Sequence, residues 1–401
     1  AVRGKHTSYN RAGWWLKKWI DRRWMAKYTR LNMALPSAPK PLSGLQPADV
    51  TDANNDPAFS AMRCLGCGAK TSHETLSLSL QDAVLIARDL GADPQYLPVA
   101  GLNEDSAILP APTNGDLVQS VDVISEITTD PFQLGRIAAV HALSDLYAAN
   151  ALPQHALAII NMAPARSDLQ RQHLTQLMAG SLLALADART LLVGGHTSET
   201  DATSAGFAVT GTRAIAPTPP RLEQDPVLLI TKPVGTGVIM AGGMRLDAHG
   251  EWVTAALDSM ALGNGTAADI LQPDNPMMTD VTGFGLARHA LNLAERCGFT
   301  GVEIALSTVP LLPGTSILLE QGIRSSLHDA NRAAVRLADD SRGNPIAELL
   351  FDPQTSGGLL AALPRVQAEA AVDRLQAGGQ TAAIIGRLTN AWTGLYPNRK
   401  D

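Results

Sequence analysis

Four aspartates stand where a bare carboxylate is costly. Asp122 interrupts an otherwise apolar run, Ser120-Val-Asp-Val-Ile, and Asp145 lies late in the helical pattern His141-Ala-Leu-Ser-Asp-Leu-Tyr. Asp280 sits in Met278-Thr-Asp-Val-Thr-Gly-Phe-Gly, and Asp105 in Gly101-Leu-Asn-Glu-Asp-Ser-Ala-Ile. A carboxylate in apolar surroundings has to be paired or bound to metal. Magnesium on a nucleotide takes one or two carboxylates plus phosphates and waters, so scattered aspartates suit a site with several magnesium ions. Any one of these acids alone is more often a cap or a surface charge. Four together, each flanked by apolar residues or glycine, favour the metal.

A second cluster is Cys64-Leu-Gly-Cys67-Gly-Ala-Lys70. A Cys-x-x-Cys pair can bind zinc, but a four-ligand site needs more than Cys297, the one remaining cysteine, can add. A thioredoxin-like redox pair would need a βαβ context that is missing. The third reading is a reactive or chalcogen-carrying cysteine in a Gly-containing loop, with Lys70 favouring its thiolate. Glycine-rich turns at Val193-Gly-Gly-His196, Lys232-Pro-Val-Gly-Thr-Gly and Asp352-Pro-Gln-Thr-Ser-Gly-Gly could cradle phosphate with backbone N–H groups. None fits the P-loop or the dinucleotide fingerprint, which removes the commonest nucleotide folds.

The elements that must position these residues follow an α/β pattern from residue 62 onward. Leu117–Ile124, Ala156–Asn161, Thr190–Val193 and Phe207–Thr212 read as strands. Asp130-Pro131 is an N-cap followed by proline in the first turn, opening a helix to about Asn150, and Ser167 to Ala186 reads as another. The prolines of Ile215-Ala-Pro-Thr-Pro-Pro-Arg-Leu mark an internal boundary. Beyond it Val227–Thr231 starts a second α/β unit, with helices near 284–296 and 364–377 and strands near 301–306 and 380–386. The expected organisation is a basic tail over 1–33, a linker over 34–61, an N-terminal domain over 62–214, a short linker over 215–224 and a C-terminal domain over 225–401.

The 401 residues exceed one typical domain, and 45% apolar with 17% charged residues describes a globular chain with ample core. A net charge of −6 argues against general nucleic-acid binding. Three cysteines cannot build a disulfide framework, so a reducing cytoplasm is the expected location. No run approaches the roughly 20 apolar residues of a membrane span. The first thirty residues differ from the rest: Trp14, Trp15, Trp19 and Trp24 alternate with Lys17, Lys18, Arg22, Arg23 and Lys27. They form a basic amphipathic helix pattern, read first as packing on a domain outside this chain and second as peripheral membrane contact through residues 14–30.

Taken in order, these segments resemble selenophosphate synthetase (selenide, water dikinase). Met278-Thr-Asp-Val-Thr-Gly-Phe-Gly-Leu286 and Asp352-Pro-Gln-Thr-Ser-Gly-Gly-Leu-Leu360 carry the resemblance most specifically. Gly135-Arg-Ile-Ala-Ala-Val-His-Ala-Leu-Ser-Asp145, Gly194-Gly-His196 and the Cys67–Lys70 loop support it over about 62–390. The resemblance implies an aminoimidazole ribonucleotide synthetase-like, two-domain α/β fold. Its N-terminal domain pairs into a dimeric β-barrel, and ATP binds across the homodimer cleft. It implies that Cys67 and Lys70 are catalytic and that Asp105, Asp145 and Asp280 hold magnesium on ATP. Asp122 would be a further nucleotide-site acid, and Gly194, Gly195 and His196 would line the ATP cleft. The implied reaction converts ATP, selenide and water to selenophosphate, AMP and phosphate, supplying selenium for selenoprotein and selenium-modified tRNA synthesis. Potassium is a further ion expected from the family only.

The sequence departs from relatives at three places. Ala69 replaces a second cysteine of some members, Val140-His141 replaces a Thr-Asn pair, and Glu199 replaces an aspartate. The N-terminal tail resembles the end of a flavin- and pyridine-nucleotide-dependent oxidoreductase fused to this synthetase in some bacteria. That reading makes the chain the C-terminal part of a fusion, with no FAD site of its own. The alternatives are a kinase relative of the same fold, a selenium- or sulfur-carrying protein without catalysis, and a membrane-associated module built on residues 14–30.

Overall fold

A computed structural model describes residues 19, 73–98, 107, 109, 112–214, 222, 225–335 and 345–398. The chain divides into two compact units, Ala1–Gly68 and Ala69–Asp401, and of the first only the helical, half-exposed Trp19 is among the described residues. Cys64, Cys67, Lys70, Asp105, the rest of the Trp-rich segment, the 34–61 linker and the Pro-rich boundary at 215–221 lie outside them.

Helix α1 (His73–Asp89) precedes strand β1 (Asp116–Ser125), helix α2 (Pro131–Ala148), β2 (Leu152–Met162), α3 (Ser167–Asp187), β3 (Leu191–Glu199) and β4 (Ser204–Arg213). The strands form one sheet in the order β1-β4-β2-β3, antiparallel except for the parallel β2–β3 pair. Asp130 caps α2 as expected: its carboxylate accepts from the N–H groups of Phe132 and Gln133, with Pro131 in the first turn. Helix α2 packs on β1 and β4, α3 on α2, and α1 on α3. The α2–α3 contact is backbone to backbone. A Cβ added at Gly135 would lie 1.9 Å from the Leu177 carbonyl oxygen, and one at Gly180 would lie 2.0 Å from that of Phe132. Alanine at either site would push the helices apart.

The second sheet is six-stranded, ordered β10-β7-β9-β5-β8-β6. Its strands are β5 (Pro226–Ile230), β6 (Met277–Asp280), β7 (Gly301–Ala305), β8 (Leu359–Pro364), β9 (Ala383–Thr389) and β10 (Gly394–Asn398). Helices α4 (Thr236–Met244), α5 (Gly250–Ala261), α6 (Gly265–Leu271), α7 (Gly285–Arg296), α8 (Thr315–Glu320), α9 (His328–Ala333), α10 (Pro345–Glu348) and α11 (Arg365–Ala377) surround it. Successive residues of β5 enter different cores: Val227 and Leu229 pack with the first sheet's helices, and Leu228 and Ile230 pack with α4, α5 and α7. Burial on both faces accounts for the unbroken apolar runs of β5 and β8. The first of these cores is shared by both sheets, so α2 and β6 have a common hydrophobic foundation.

Candidate functional site

Helix α2 lies between β1 and β6, and this arrangement brings three of the four aspartates together. Asp122 is on the helix-facing side of β1, Asp145 is in the last turns of α2, and Asp280 ends β6. Ser120, two residues before Asp122 on the same strand face, donates its hydroxyl to Asp145 Oδ2. Asp280 is 5% exposed, and its Oδ2 is buried with no hydrogen-bond partner among the described residues.

Burial first, then the neighbouring Asp145 carboxylate, push Asp122 up to about 7. Burial, Asp145 and Asp122 do the same to Asp280, also to about 7. Like charges so placed resist ionising together, and the shifts belong to the cluster. Burial pushes Lys232 down to about 7, and the neighbouring Asp280 partly offsets this by favouring its charged form.

The turn after Asp280 is held firmly. Val281 N–H donates to the Gly358 carbonyl (3.0 Å), and Thr282 N–H donates to His289 Nε2 (3.1 Å). Burial pushes His289 down to about 4, so it is a neutral acceptor at physiological pH. Its ring thereby orients the start of α7.

Two of the glycine-rich turns have a role other than the expected phosphate cradle. Gly235 N–H and Thr236 N–H, at the start of α4, both donate to Gln354 Oε1, and Val238 N–H donates to Asp352 Oδ2. The Asp352-Pro-Gln segment therefore plugs the amides that the Lys232–Gly237 turn offers. The third, Gly194-Gly195-His196, is not a turn: it lies inside β3, pairing with Leu157, Ala158 and Ile159 of β2. Glycine is needed at 195 because an added Cβ would meet the Ala158 carbonyl oxygen at 2.3 Å. His196 is exposed on the sheet face away from the helices. There Gln119, His155, Leu157, Ile159, Ala208 and Thr210 form a groove of ≈ 530 Å³ with it. A second cleft, ≈ 430 Å³, lies between α2 and the α5–α6 connection. It is lined from α2 by Arg136, Val140, Leu143 and Tyr147, whose helical spacing puts them on the face opposite Asp145.

The departures from relatives also find places. His141 Nδ1 accepts from Ser356 N–H at 3.1 Å, and Glu199 Oε1 accepts from Gln170 of α3 at 2.8 Å. Sequence reasoning passed over Lys232, Ser120 and Asn264 as site-supporting groups. The lysine closing the apolar run Leu228–Thr231 was a usable signal, because a charge there must be buried.

Asp122, Asp145 and Asp280 fit a divalent cation: one buried oxygen lacks a partner, and the repulsion among the three is what such a charge relieves. Among the described residues no group of three or more His, Cys, Asp or Glu side chains is arranged to hold a metal ion by itself.

A pH effect follows. Both raised carboxyls hold protons more tightly folded than unfolded, so stability falls as pH rises from about 4 through about 7. Melting of the metal-free protein should drop by roughly 3–6 °C between pH 5 and pH 8. Asp352, also pushed up to about 7 by burial, contributes with the same sign but is independent of metal. Magnesium with a non-hydrolysable ATP analogue should therefore stabilise more at pH 8 than at pH 5. An equal or smaller gain at pH 8, read by calorimetry, would contradict the assignment of the cluster.

The chain matches the family model "AIR synthase related protein, N-terminal domain" over residues 103–213, and the corresponding C-terminal domain over 264–395. Selenide, water dikinase of Geobacter metallireducens is 35% identical over 343 residues, covering 82% of this chain and 95% of that protein. The enzyme of the same name from Nitratidesulfovibrio vulgaris is 33% identical over 351 residues, covering 83% and 96%. Among solved structures, hydrogenase maturation protein HypE in complex with ATP aligns with a TM-score of 0.59 at 20% identity, covering 81% of this chain and 88% of that one. Thiamine-monophosphate kinase from Stenotrophomonas maltophilia gives 0.58 at 17%, covering 80% and 96%. These two share the two-domain α/β fold. With near-complete coverage of relatives more than 30% identical and both domain models matched in order, the chain belongs to the selenide, water dikinase family of the AIR synthase-related fold.

Proposed function

We propose that this chain transfers the γ-phosphoryl group of ATP to selenide, giving selenophosphate, and then releases AMP and phosphate by attack of water on the remaining diphosphate. The observation that carries the reading is the convergence of Asp122, Asp145 and Asp280 from three elements around a buried, unpartnered carboxylate oxygen. Asp145 and Asp280, with Asp105, are the proposed magnesium ligands, and Asp122 is a further acid of the nucleotide site. Bound magnesium would offset the charge on the phosphates and on the transferring group.

The chain's own groups do the rest. Ser120 holds Asp145 in one orientation through its hydroxyl. Neutral His289 fixes the turn that follows Asp280. Lys70 is proposed to add a cation at the phosphoryl oxygens, and Cys67 to hold or deliver selenium while its segment keeps water from the first step. Gly194, Gly195 and His196, on β3 and on the sheet face away from the aspartates, are proposed to line the nucleotide cleft across the homodimer. The uncovered face of the first sheet supports a homodimer in which two such sheets close a barrel. The segment 1–33 is proposed to pack on an oxidoreductase domain, with peripheral membrane contact as the lesser reading. Potassium and a cytoplasmic location belong to the same proposal, as do the domain limits 62–214 and 225–401.

Anaerobic phosphorus NMR with ATP, magnesium and selenide tests the reaction. The wild-type protein should yield selenophosphate and AMP, and Cys67→Ser should yield neither. ADP as the sole nucleotide product would move the assignment to a kinase of the same fold. Absence of turnover with selenium bound at Cys67 would make the chain a carrier.

A further inference from the structure

Asp145 and Asp280 come from different lobes, α2 packing on the first sheet and β6 belonging to the second. Their separation therefore depends on how the lobes are fastened. Three side-chain links join α2 to the second lobe, and they bracket Asp145. His141 Nδ1, one turn before it, accepts from Ser356 N–H at 3.1 Å. Ser144, its immediate neighbour, accepts from Asn264 Nδ2 at 2.6 Å, and the same amide donates to the Gly357 carbonyl at 2.9 Å. Asn150, just past the helix end, donates from Nδ2 to the Pro276 carbonyl at 3.0 Å, immediately before β6 begins.

Behind the Ser356 and Asn264 links sits Lys232, 1% exposed, with its ammonium donating to the carbonyls of Ser259 (3.2 Å), Ser356 (2.9 Å) and Leu262. One buried cation thus ties the segment bearing Ser356 and Gly357 to the end of α5 and the connection that carries Asn264. Backbone geometry agrees: Ser356 and Asn150 both have positive φ, 52° and 57°, so each is held in a conformation that its surroundings must maintain.

We propose that Asn264, backed by the Lys232 anchor, and Asn150, through its separate bond to the Pro276 carbonyl, are positioning residues that set the Asp145–Asp280 spacing and thereby the affinity of the site for a divalent cation. The inference rests on the reading of those aspartates as metal ligands. A buried charged anchor and two amide staples are more than packing needs, because the lobes already share a hydrophobic core. What the links add is directional: hydrogen bonds specify one register where apolar contact tolerates several. Partners of this kind, one step behind metal ligands, typically govern metal affinity by about ten- to a hundredfold.

The test is Mn²⁺ binding to the full chain, read by electron paramagnetic resonance of the free ion in the presence of a non-hydrolysable ATP analogue. Asn150→Gly keeps the positive φ and removes only the amide, so its fold should survive. Asn264→Ser shortens the donor at a buried site and is the harsher variant. Each should weaken Mn²⁺ binding by about tenfold, and the pair by more, with melting of Asn150→Gly within a few degrees of wild type. Unchanged Mn²⁺ affinity in Asn150→Gly and in any folded Asn264→Ser would overturn the proposal while leaving the ligand assignment intact. Unchanged affinity in Asp280→Asn, measured alongside, would overturn that assignment and the inference with it.

Discussion

Asp280→Asn is expected to reduce selenophosphate formation by roughly a thousandfold and, in the absence of metal, to make the folded protein more stable at pH 8. The two halves of the result have one cause. The wild-type carboxylate is 5% exposed, one of its oxygens has no partner among the described residues, and it faces Asp145. Above its raised pKa of about 7 it is ionised in the folded state at a cost that the unfolded chain does not bear. A neutral amide of the same shape removes that cost, so stability at pH 8 rises, while at pH 5 the protonated wild-type group leaves little to gain. The amide also removes the charge that a magnesium ion on the phosphates requires. Anaerobic NMR of product formation and metal-free melting curves at both pH values measure the two halves. Activity within tenfold of wild type would remove Asp280 from the ligand set, and lower stability at pH 8 would show that its environment does not disfavour the carboxylate.

The legible parts of this chain are those whose signals are local. Asp130-Pro131 marks the start of α2 from two residues, and the run Leu117–Ile124 marks β1 to within a residue at either end. Helix α11 was readable at 364–377 and occupies Arg365–Ala377. Asp122 stands out because it interrupts an apolar strand and Asp280 because it sits in a Gly-rich turn flanked by apolar residues, and Asp280 is buried.

What escaped was anything whose partner lies far along the chain. Gly194-Gly195-His196 looks like a turn because glycines end strands in isolation. It is a strand paired with β2, which approaches so closely that a Cβ at Gly195 is excluded. The Lys232–Gly237 turn looks open to phosphate, and only the arrival of Gln354 and Asp352, more than a hundred residues later, shows that its amides are already taken. Lys232 itself gains meaning from three carbonyls on two distant segments. Period and composition cannot report such pairings, since each side is satisfied by the other and neither is unusual alone. The strand near 380–386 was displaced to Ala383–Thr389 for a related reason: β9 takes its register from β5 and β7.

A single carboxylate placed at Leu157 should convert the protein to a folded, inactive monomer. In the first sheet the face away from the helices carries Val121, Ala208 and Leu157 in one cross-strand row, and Val123, Gly206 and Ile159 in the next. Val121, Val123 and Leu157 are 58%, 47% and 40% exposed, an apolar surface on a sheet whose other face packs against the helices. Exposed patches of this kind mark interfaces, and a second copy of the same sheet is the partner proposed here. On a two-fold axis Leu157→Glu enters twice. Each buried, unpaired carboxylate would cost about 3 kcal/mol or more, which weakens the dimer by well over a hundredfold. The monomer should keep its fold, because Leu157 contributes nothing to the helix-side core that Phe207, Val209 and Ile160 build. Sedimentation velocity gives the mass, circular dichroism the fold, and phosphorus NMR the activity. A variant that stays dimeric would place the interface elsewhere on the molecule. A monomer that still makes selenophosphate would show that one chain contains the whole site, and the barrel would then serve stability rather than catalysis.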